Sequence, residues 1–357
     1  MVPVDVTFHP SWWHEHAGID FSQRFFEDPA YRIDADMNMR RVLYERFGDL
    51  GFGEDDPKPR PLLDSDLLAG EYVQAQILGC DIRYSPDSLP EPLCLNLSAH
   101  EAEQLGVPDV RKTSAWESLE RQIAWLYEQY GYVESFVDLH GVQNLALSIR
   151  GMQLFEDYYS RPELARHILT VCARTIAETA TCLREVSECI GIGVTSIIRQ
   201  VDKRLYVTSN CSLDMVSRDI YESFLLEHDA MLSRRFQPFG IHHCGGSFHR
   251  FAQIYAEISG VSFVEAGAFS DLKAARAAFP GTWINARYSP VRLRECSKEQ
   301  LVGELKQMAC DAQPASLLSF SCVGIDSDTD DQQVRLFLDI AKHLEESNDS
   351  CRQENTE

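Results

Sequence analysis

The feature of this sequence that most constrains its fold is a series of four strand–helix units in the C-terminal half. Strands are predicted at Gly240–His243, Val261–Val264, Thr282–Ala286 and Ser316–Ser321, and helices at Phe248–Ser259, Asp271–Phe279, Lys298–Asp311 and Asp330–Glu346. Periodic apolar residues distinguish the helices from the short strands between them. Strand–helix units in succession indicate a parallel sheet with right-handed crossovers.

The length of the chain, 357 residues, fits one large α/β domain or two ordinary ones. Closure of the parallel strands into a (β/α)8 barrel is the most economical arrangement over this length. An open doubly wound sheet is the alternative, but no glycine-rich phosphate loop supports it. We expect an N-terminal extension at 1–60 packed on the barrel, the barrel itself at 61–345, and a disordered polar tail at 346–357.

Strands and helices are also predicted upstream of this region. Tyr72–Leu78 and Tyr132–Val137 are predicted strands. A capping box of Ser114 and Glu117 predicts the start of one helix, and a helix with Pro162 in its first turn follows. The first half of the chain is therefore also expected to be mixed α/β.

Net charge and the lack of long apolar segments restrict the partners and the compartment. The chain has 33 basic and 55 acidic residues, giving a formal charge of −22. Such a surface repels phosphate backbones and anionic lipids, so nucleic acid and membrane partners are not expected. No apolar run approaches the ~18 residues that cross a bilayer, and 1–9 does not read as a signal peptide. We expect a cytoplasmic protein with reduced thiols.

His242 and Cys244 are the first candidate metal ligands. They lie where a predicted strand runs into the loop that contains Gly245 and Gly246. Residues two apart on an extended segment project to the same side, so both can point at one spot while His243 points away. This pair is the core of the predicted site.

Cys322 is the predicted third ligand, because it ends the last predicted strand. All strands of a parallel barrel open on one face at their carboxyl ends, where active sites form. Cys322 would therefore converge with His242 and Cys244. One imidazole and two thiolates suit Zn²⁺, and a three-residue site leaves one coordination position open for substrate.

Other residues at predicted strand ends are candidates for supporting roles. Glu265 could be a displaceable fourth ligand or a catalytic group, or it could be a carboxylate that holds a helix. Asp138, His140 and Asn210 are candidates for substrate binding or for contacts behind the metal ligands. Cys211 is interpreted as a structural residue.

The spacing of His242-x-Cys244 and a distal Cys322 in a Ser-x-Ser-Cys-x-Gly setting resembles the zinc signature of the methylcobamide:coenzyme M methyltransferases. These enzymes belong to the uroporphyrinogen decarboxylase superfamily. Further stretches that are similar to that superfamily are Gly141–Phe155, Arg161–Leu164, Ser217–Phe224 and Gly281–Pro290. The resemblance covers roughly residues 60 to 345.

The resemblance implies a barrel of the uroporphyrinogen decarboxylase type with zinc on His242, Cys244 and Cys322. It also implies transfer of a methyl group between a small substrate, either a thiol or a methylated donor, and a corrinoid cofactor such as methylcobalamin. No Asp-x-His-x-x-Gly segment is present, so the corrinoid is expected on a separate protein. The alternatives are a zinc-free, decarboxylase-like lyase and a metal- or corrinoid-binding protein without turnover.

The N-terminal segment departs from the resemblance. The arginine-rich signature of the decarboxylases is not found at 10–16, where Trp12 and Trp13 are flanked by histidines. The two tryptophans are interpreted either as anchors of the N-terminal segment or as part of a lid or partner contact.

Overall fold

The computed structural model describes residues 2–68, 70–187 and 195–344. The strands are β1 (Val4–Phe8), β2 (Leu62–Leu63), β3 (Ile82–Ser85), β4 (Ser88–Pro92), β5 (Glu134–Ser135), β6 (Tyr206–Ser209), β7 (Phe239–His243), β8 (Val261–Ala266), β9 (Trp283–Tyr288) and β10 (Leu318–Ile325). The tail predicted to be disordered, 346–357, lies outside the described residues.

The α-helices are α1 (Pro10–Ala17), α2 (Gln23–Glu27), α3 (Pro29–Phe47), α4 (Val73–Ile77), α5 (Ala99–Glu103), α6 (Ser114–Tyr130), α7 (Val142–Arg150), α8 (Gln153–Ser160), α9 (Pro162–Arg184), α10 (Ile197–Val201), α11 (Arg218–Ile220), α12 (Leu226–Arg235), α13 (Phe248–Tyr255), α14 (Leu272–Ala278), α15 (Pro290–Glu295), α16 (Lys298–Asp311) and α17 (Asp331–His343). A short 3-10 helix, Cys211–Met215, and a π-helical turn, Tyr221–Leu225, separate β6 from α12. No helix in the described part of the chain is long and apolar enough to cross a membrane.

The parallel sheet predicted from the strand–helix units is confirmed. Six parallel strands form one curled sheet in the order β1-β10-β9-β8-β7-β6. A second parallel pair, β2-β5, and an antiparallel hairpin, β3-β4, complete the strands of the described residues. The expectation of a closed eight-stranded barrel is confirmed only in part, because the strand pairing of the described residues joins six strands into a half-barrel and leaves β2 and β5 as a separate pair.

The N-terminal segment contributes a strand to the sheet. β1 pairs in parallel with β10, with Val4 opposite Phe320 and Val6 opposite Cys322. Trp12 and Trp13 on α1 are almost fully buried, and the ring of Trp12 stacks on Phe8 with 4.0 Å between centroids. The two tryptophans therefore anchor the segment in the core, as one of the two interpretations predicts.

Tyr72–Leu78 is the clearest error of the sequence prediction, because it contains helix α4. Val73, Ala75 and Ile77 alternate with glutamines, which is the period of a half-exposed strand. Gln74 is nevertheless completely buried, and its Oε1 accepts a hydrogen bond from the backbone N–H of His140 at 3.4 Å. A short segment that is buried on both sides loses the polarity pattern that distinguishes helix from strand.

The C-terminal elements agree well with the prediction, and their ends have local causes. α16 begins at a capping box in which Ser297 and Gln300 exchange hydrogen bonds. The Asp271 side chain caps α14 by accepting from the N–H of Ala274 at 2.9 Å. The first turn of α6 is capped by Thr113, one residue before the predicted Ser114.

The cysteines are mostly, but not all, free thiols. Eight of the described cysteines are free, whereas Cys310 is disulfide-bonded. The expectation of reduced thiols is therefore wrong at Cys310. The candidate ligands Cys244 and Cys322 are among the free thiols.

Candidate metal centre

Three potential metal ligands meet at the carboxyl ends of two adjacent strands. Cys211 begins the 3-10 helix that follows β6, His242 is the next-to-last residue of β7, and Cys244 follows β7 directly. One ligand atom from each residue lies within 4.8 Å of the other two. Because Ser209 pairs with His242, the pairing of β6 with β7 brings the three side chains together. This group is called the Cys–His–Cys group below.

The predicted alternation of His242, His243 and Cys244 is confirmed. His242 and Cys244 belong to the Cys–His–Cys group. The His243 ring points to the other side of β7, where its Nδ1 lies 3.0 Å from the Tyr255 hydroxyl and its Nε2 lies 3.0 Å from Asp214 Oδ1. His243 is fully buried, so its ring is a structural element of the wall behind the group.

Cys322 is not part of the Cys–His–Cys group, and Cys211 supplies the second thiol instead. The Ser321 hydroxyl accepts a hydrogen bond from Asn285 at 2.9 Å, on the side of the sheet that also carries Glu265. The next residue on a strand points to the opposite face. Cys322 is therefore directed toward the helices, where burial raises its pKa and keeps the thiol neutral.

Glu265 lies behind His242 in the structure. Its Oε2 is 2.7 Å from His242 Nδ1, and its Oε1 accepts from Asn285 Nδ2 at 3.1 Å. Glu265 is fully buried. A carboxylate on one ring nitrogen fixes the orientation of a histidine and leaves the other nitrogen for a metal. The nitrogen of His242 that is available to a metal is therefore Nε2. Glu265 contacts the other ring nitrogen, whereas the sequence analysis expected it to be a displaceable fourth ligand or a catalytic group.

The protonation of the group follows from its hydrogen bonds. The hydrogen bond from Cys211 lowers the pKa of Cys244 against the effect of burial, and His242 lowers it further. The pKa of Cys211 is raised by the same hydrogen bond and by burial. Burial acts to lower the pKa of His242, but the charge of Glu265 and the hydrogen bonds to Cys244 and Glu265 raise it on balance. Without metal, the group thus favours a thiolate on Cys244 and a thiol on Cys211.

Glu71, which the sequence analysis did not single out, faces the group from the loop before α4. Its carboxylate accepts from Asn144 Nδ2 at 3.2 Å. Burial raises the pKa of Glu71 to about 7, and the charges of His242 and Cys244 act on it in opposite directions. Asn144 also accepts hydrogen bonds from the backbone and side chain of Ser212 through its Oδ1, at 3.0 and 2.6 Å. Glu71 and the Cys211 loop are thus held by the same amide.

Asp138 and His140 follow β5 and are both buried. Asp138 accepts from the N–H of Gly70 at 2.9 Å, and burial raises its pKa well above the ordinary value. His140 Nδ1 lies 2.9 Å from Gln74 Oε1, and burial lowers its pKa to about 3. His140 is therefore neutral near pH 7, and the shift of the Asp138 pKa favours the protonated form of that carboxyl group.

Asn210 is directed away from the strand ends. Its Nδ2 donates to Asp229 Oδ2 at 2.8 Å and to the Tyr255 hydroxyl at 3.5 Å. These partners lie on the helices behind β6 and β7. The structure therefore gives the amide nitrogen of Asn210 a place in the buried polar network.

Arg287 is a second residue that the sequence analysis did not identify. Its Nη1 lies 3.5 Å from His242 Nε2, and its Nε lies 3.6 Å from Glu265 Oε1. Arg287 also lines a cavity of about 440 Å³ between the loops after β8 and β9. Its position at the carboxyl end of β9 is the signal by which it could have been found.

Comparison with solved structures identifies the fold. A methyltransferase from Methanosarcina mazei superimposes with a TM-score of 0.64 at 14% sequence identity, covering 96% of this chain and 94% of that chain. A B12-independent methionine synthase from Shewanella sp. W3-18-1, in complex with selenomethionine, gives a TM-score of 0.48 at 11% identity, covering 98% and 99%. No family model and no curated protein matches the sequence. The chain thus shares the fold of a methyltransferase, as the resemblance to the uroporphyrinogen decarboxylase superfamily predicts.

Proposed function

We propose that this protein is a zinc-dependent methyltransferase whose metal is held by Cys211, His242 and Cys244. The observation that carries the proposal is the Cys–His–Cys group, whose ligand atoms lie within 4.8 Å of one another. Two thiolates and one imidazole are a usual donor set for catalytic Zn²⁺, which keeps its fourth position open. The fold shared with a methyltransferase supports the class of reaction.

The residues around the group fit a metal ion. Glu265 holds His242 through Nδ1, which is the carboxylate–histidine arrangement found behind many zinc ligands. Cys244 already favours the thiolate form that a metal requires. Cys322, the ligand implied by the resemblance, is not carried into the proposal because it is absent from the group.

Bound zinc would lower the pKa of a substrate thiol, or act as a Lewis acid on the heteroatom that carries the methyl group. Two thiolate ligands leave the metal relatively electron-rich, which favours the first role. In that role Glu71 would be the acceptor for the proton that the thiol releases, since Asn144 holds it beside the Cys211 loop and its pKa is raised to about 7. Asp138 and His140 would contribute hydrogen-bonding groups to the substrate site.

The other reactant would be a corrinoid carried by a separate protein, with the methyl group moving between its cobalt and a small thiol or methylated donor. This part of the proposal rests on the resemblance of the sequence alone. The cytoplasmic location also stays a prediction.

Metal analysis followed by a methyl-transfer assay tests the proposal. We expect close to one zinc per chain, and zinc-dependent demethylation of methylcobalamin with members of a panel of small thiols or, in the other direction, methylation of cob(I)alamin by methylated donors. Purified protein that takes up no zinc would contradict the metal site and favour the decarboxylase-like lyase. Zinc binding without transfer in either direction would indicate the binding protein without turnover.

A further inference from the structure

A chain of side-chain hydrogen bonds joins the two loops that carry the proposed thiol ligands. Asp214 lies three residues after Cys211, and His243 immediately precedes Cys244. His243 Nε2 lies 3.0 Å from Asp214 Oδ1, and His243 Nδ1 lies 3.0 Å from the Tyr255 hydroxyl. Tyr255 is on α13, so the chain connects both ligand loops to one helix.

The donors and acceptors of this chain have a consistent direction. A carboxylate only accepts, so His243 carries its proton on Nε2 and donates it to Asp214. In a neutral ring Nδ1 then accepts, so the Tyr255 hydroxyl donates to it. The hydroxyl oxygen accepts in turn from Asn210 Nδ2 at 3.5 Å. Each of the three side chains has a hydrogen-bonding partner within the chain, which favours a rigid network.

The ligand loops need such support because the thiols lie beyond the strands. The pairing of β6 with β7 ends at Ser209 and His242. One further backbone hydrogen bond, from Asn210 N to His242 O at 2.7 Å, follows. Cys211 is then in a 3-10 helix and Cys244 in a loop. Regular strand pairing therefore does not fix the distance between the two sulfurs.

Asp214 lies very close to the backbone of the loop after β7, at Gly245. A Cβ added to Gly245 would lie 2.1 Å from Asp214 Oδ2. The Ser247 hydroxyl donates to the same carboxylate. Asp214 thus receives hydrogen bonds from both ends of the segment that contains Cys244, across a contact that only glycine permits.

We propose that Asp214, His243 and Tyr255 form a brace that sets the distance between the sulfurs of Cys211 and Cys244, and that Tyr255 is a positioning residue for the metal site. The part of this proposal that concerns metal retention rests on the proposed function. The part that concerns the spacing of the two thiols does not.

The alternative is that these hydrogen bonds only satisfy buried polar groups and stabilise the fold. Tyr221 offers a matched control for this alternative. Tyr221 and Tyr255 are both fully buried, and their rings are in contact, with centroids 5.2 Å apart. The Tyr221 hydroxyl donates to Asp229 at 2.8 Å and is not bonded to His243. Tyr221→Phe therefore removes a buried hydroxyl without cutting the brace.

The first measurement compares metal retention in Tyr255→Phe and Tyr221→Phe. We expect Tyr255→Phe to lose zinc to a chelator about tenfold faster than the wild type, the lower end of the range for partners behind metal ligands. The absorption spectrum of its cobalt(II) form should also change, because that spectrum reports the ligand geometry. Tyr221→Phe should match the wild type in both, whatever its melting temperature. Equal retention and equal spectra in the two variants would overturn the role in metal retention.

The second measurement uses metal-free protein and phenylarsine oxide, which bridges two neighbouring thiols. The arsenical binding that is lost in Cys211→Ser is the binding to the Cys211–Cys244 pair. We expect that part to be about tenfold weaker in Tyr255→Phe and unchanged in Tyr221→Phe. Unchanged binding in Tyr255→Phe would overturn the brace even if the wild type held zinc. Weaker binding together with no zinc in the wild type would support the brace and contradict the proposed function.

Asp214→Ala keeps the test valid if Tyr255→Phe does not fold. The Asp214 side chain is 37% exposed, so its removal leaves no large buried cavity. This variant should show the same faster zinc loss and weaker arsenical binding. Asp214→Asn, which keeps one carbonyl oxygen as an acceptor for His243, should recover part of both properties.

Discussion

Replacement of Glu265 by Gln tests the arrangement of the metal centre most directly. The carboxylate is fully buried and lies 2.7 Å from His242 Nδ1. Gln has nearly the same shape and can still accept a hydrogen bond, but it lacks the negative charge. We therefore expect the fold to survive and His242 to become a poorer ligand.

The size of the effect follows from the kind of contact. A hydrogen bond to a charged group contributes about 1.5–3 kcal/mol, and about 1.4 kcal/mol corresponds to a factor of ten in affinity. Because Gln keeps part of the hydrogen bond, we expect zinc affinity to fall by about ten- to a hundredfold, the range usual for partners of metal-bound histidines. Competition with a chromophoric chelator measures this loss.

A second carboxylate provides the control. Glu304 accepts from Arg292 at 2.6 Å and from the Tyr288 hydroxyl, among the helices that cover β9. Glu304→Gln also removes one negative charge, so it should change zinc affinity less than twofold. Equal zinc affinity in Glu265→Gln and the wild type would refute the orienting role. If zinc affinity were unchanged while substrate affinity changed, Glu265 would instead be the displaceable ligand expected from the sequence.

Three further outcomes are expected. Cys211→Ala should abolish zinc binding, whereas Cys322→Ala should retain stoichiometric zinc; metal analysis showing the reverse would restore the ligand set implied by the sequence resemblance. Gly245→Ala should weaken zinc binding about tenfold or more, because the added methyl group would clash with the Asp214 carboxylate. Gly303→Ala is the control, since there is open space around Gly303. It should leave zinc binding unchanged and raise the melting temperature slightly. Burial lowers the pKa of His140 to about 3 in the folded protein, so below about pH 6.5 this residue is protonated in the unfolded state but not in the folded state. The free energy of unfolding measured with urea should therefore fall, as pH decreases, by up to ~1.4 kcal/mol per pH unit because of this residue. His140→Gln should make that fall shallower.

The His242–Cys244 pair could be predicted from the sequence because alternation is a property of every extended segment. The choice between Cys322 and its neighbours could not be made in the same way. It depends on which residues of β10 point into the curled sheet and which point toward the helices. That orientation follows from the register of β10 with β9 in the folded protein. The structure sets Ser319 opposite Asn285, and so directs the odd-numbered residues of β10 inward and Cys322 outward.

Cys211 could not be identified because its position depends on a 3-10 helix that follows β6. A single helical turn changes the direction of a side chain without a periodic pattern in the sequence. The strand–helix units were predictable for the opposite reason, since each helix spans about two turns or more and so shows its apolar spacing in the sequence. The short strands β2 and β5 have two residues each, so whether they complete the barrel was not predictable from their sequence.

The pairing of β1 with β10 has a consequence for how the protein is made. β1 leaves the ribosome long before its partner strand β10, because about 300 residues separate the two in sequence. Until then the backbone N–H and C=O groups of β1 lack the strand partner that they have in the folded protein, and an unpaired strand edge readily pairs with other chains. Cys211, His242 and Cys244 emerge well before β10 is translated. The nascent chain can therefore bring its thiols together, and become exposed to metal or to oxidants, while β1 is still unpaired.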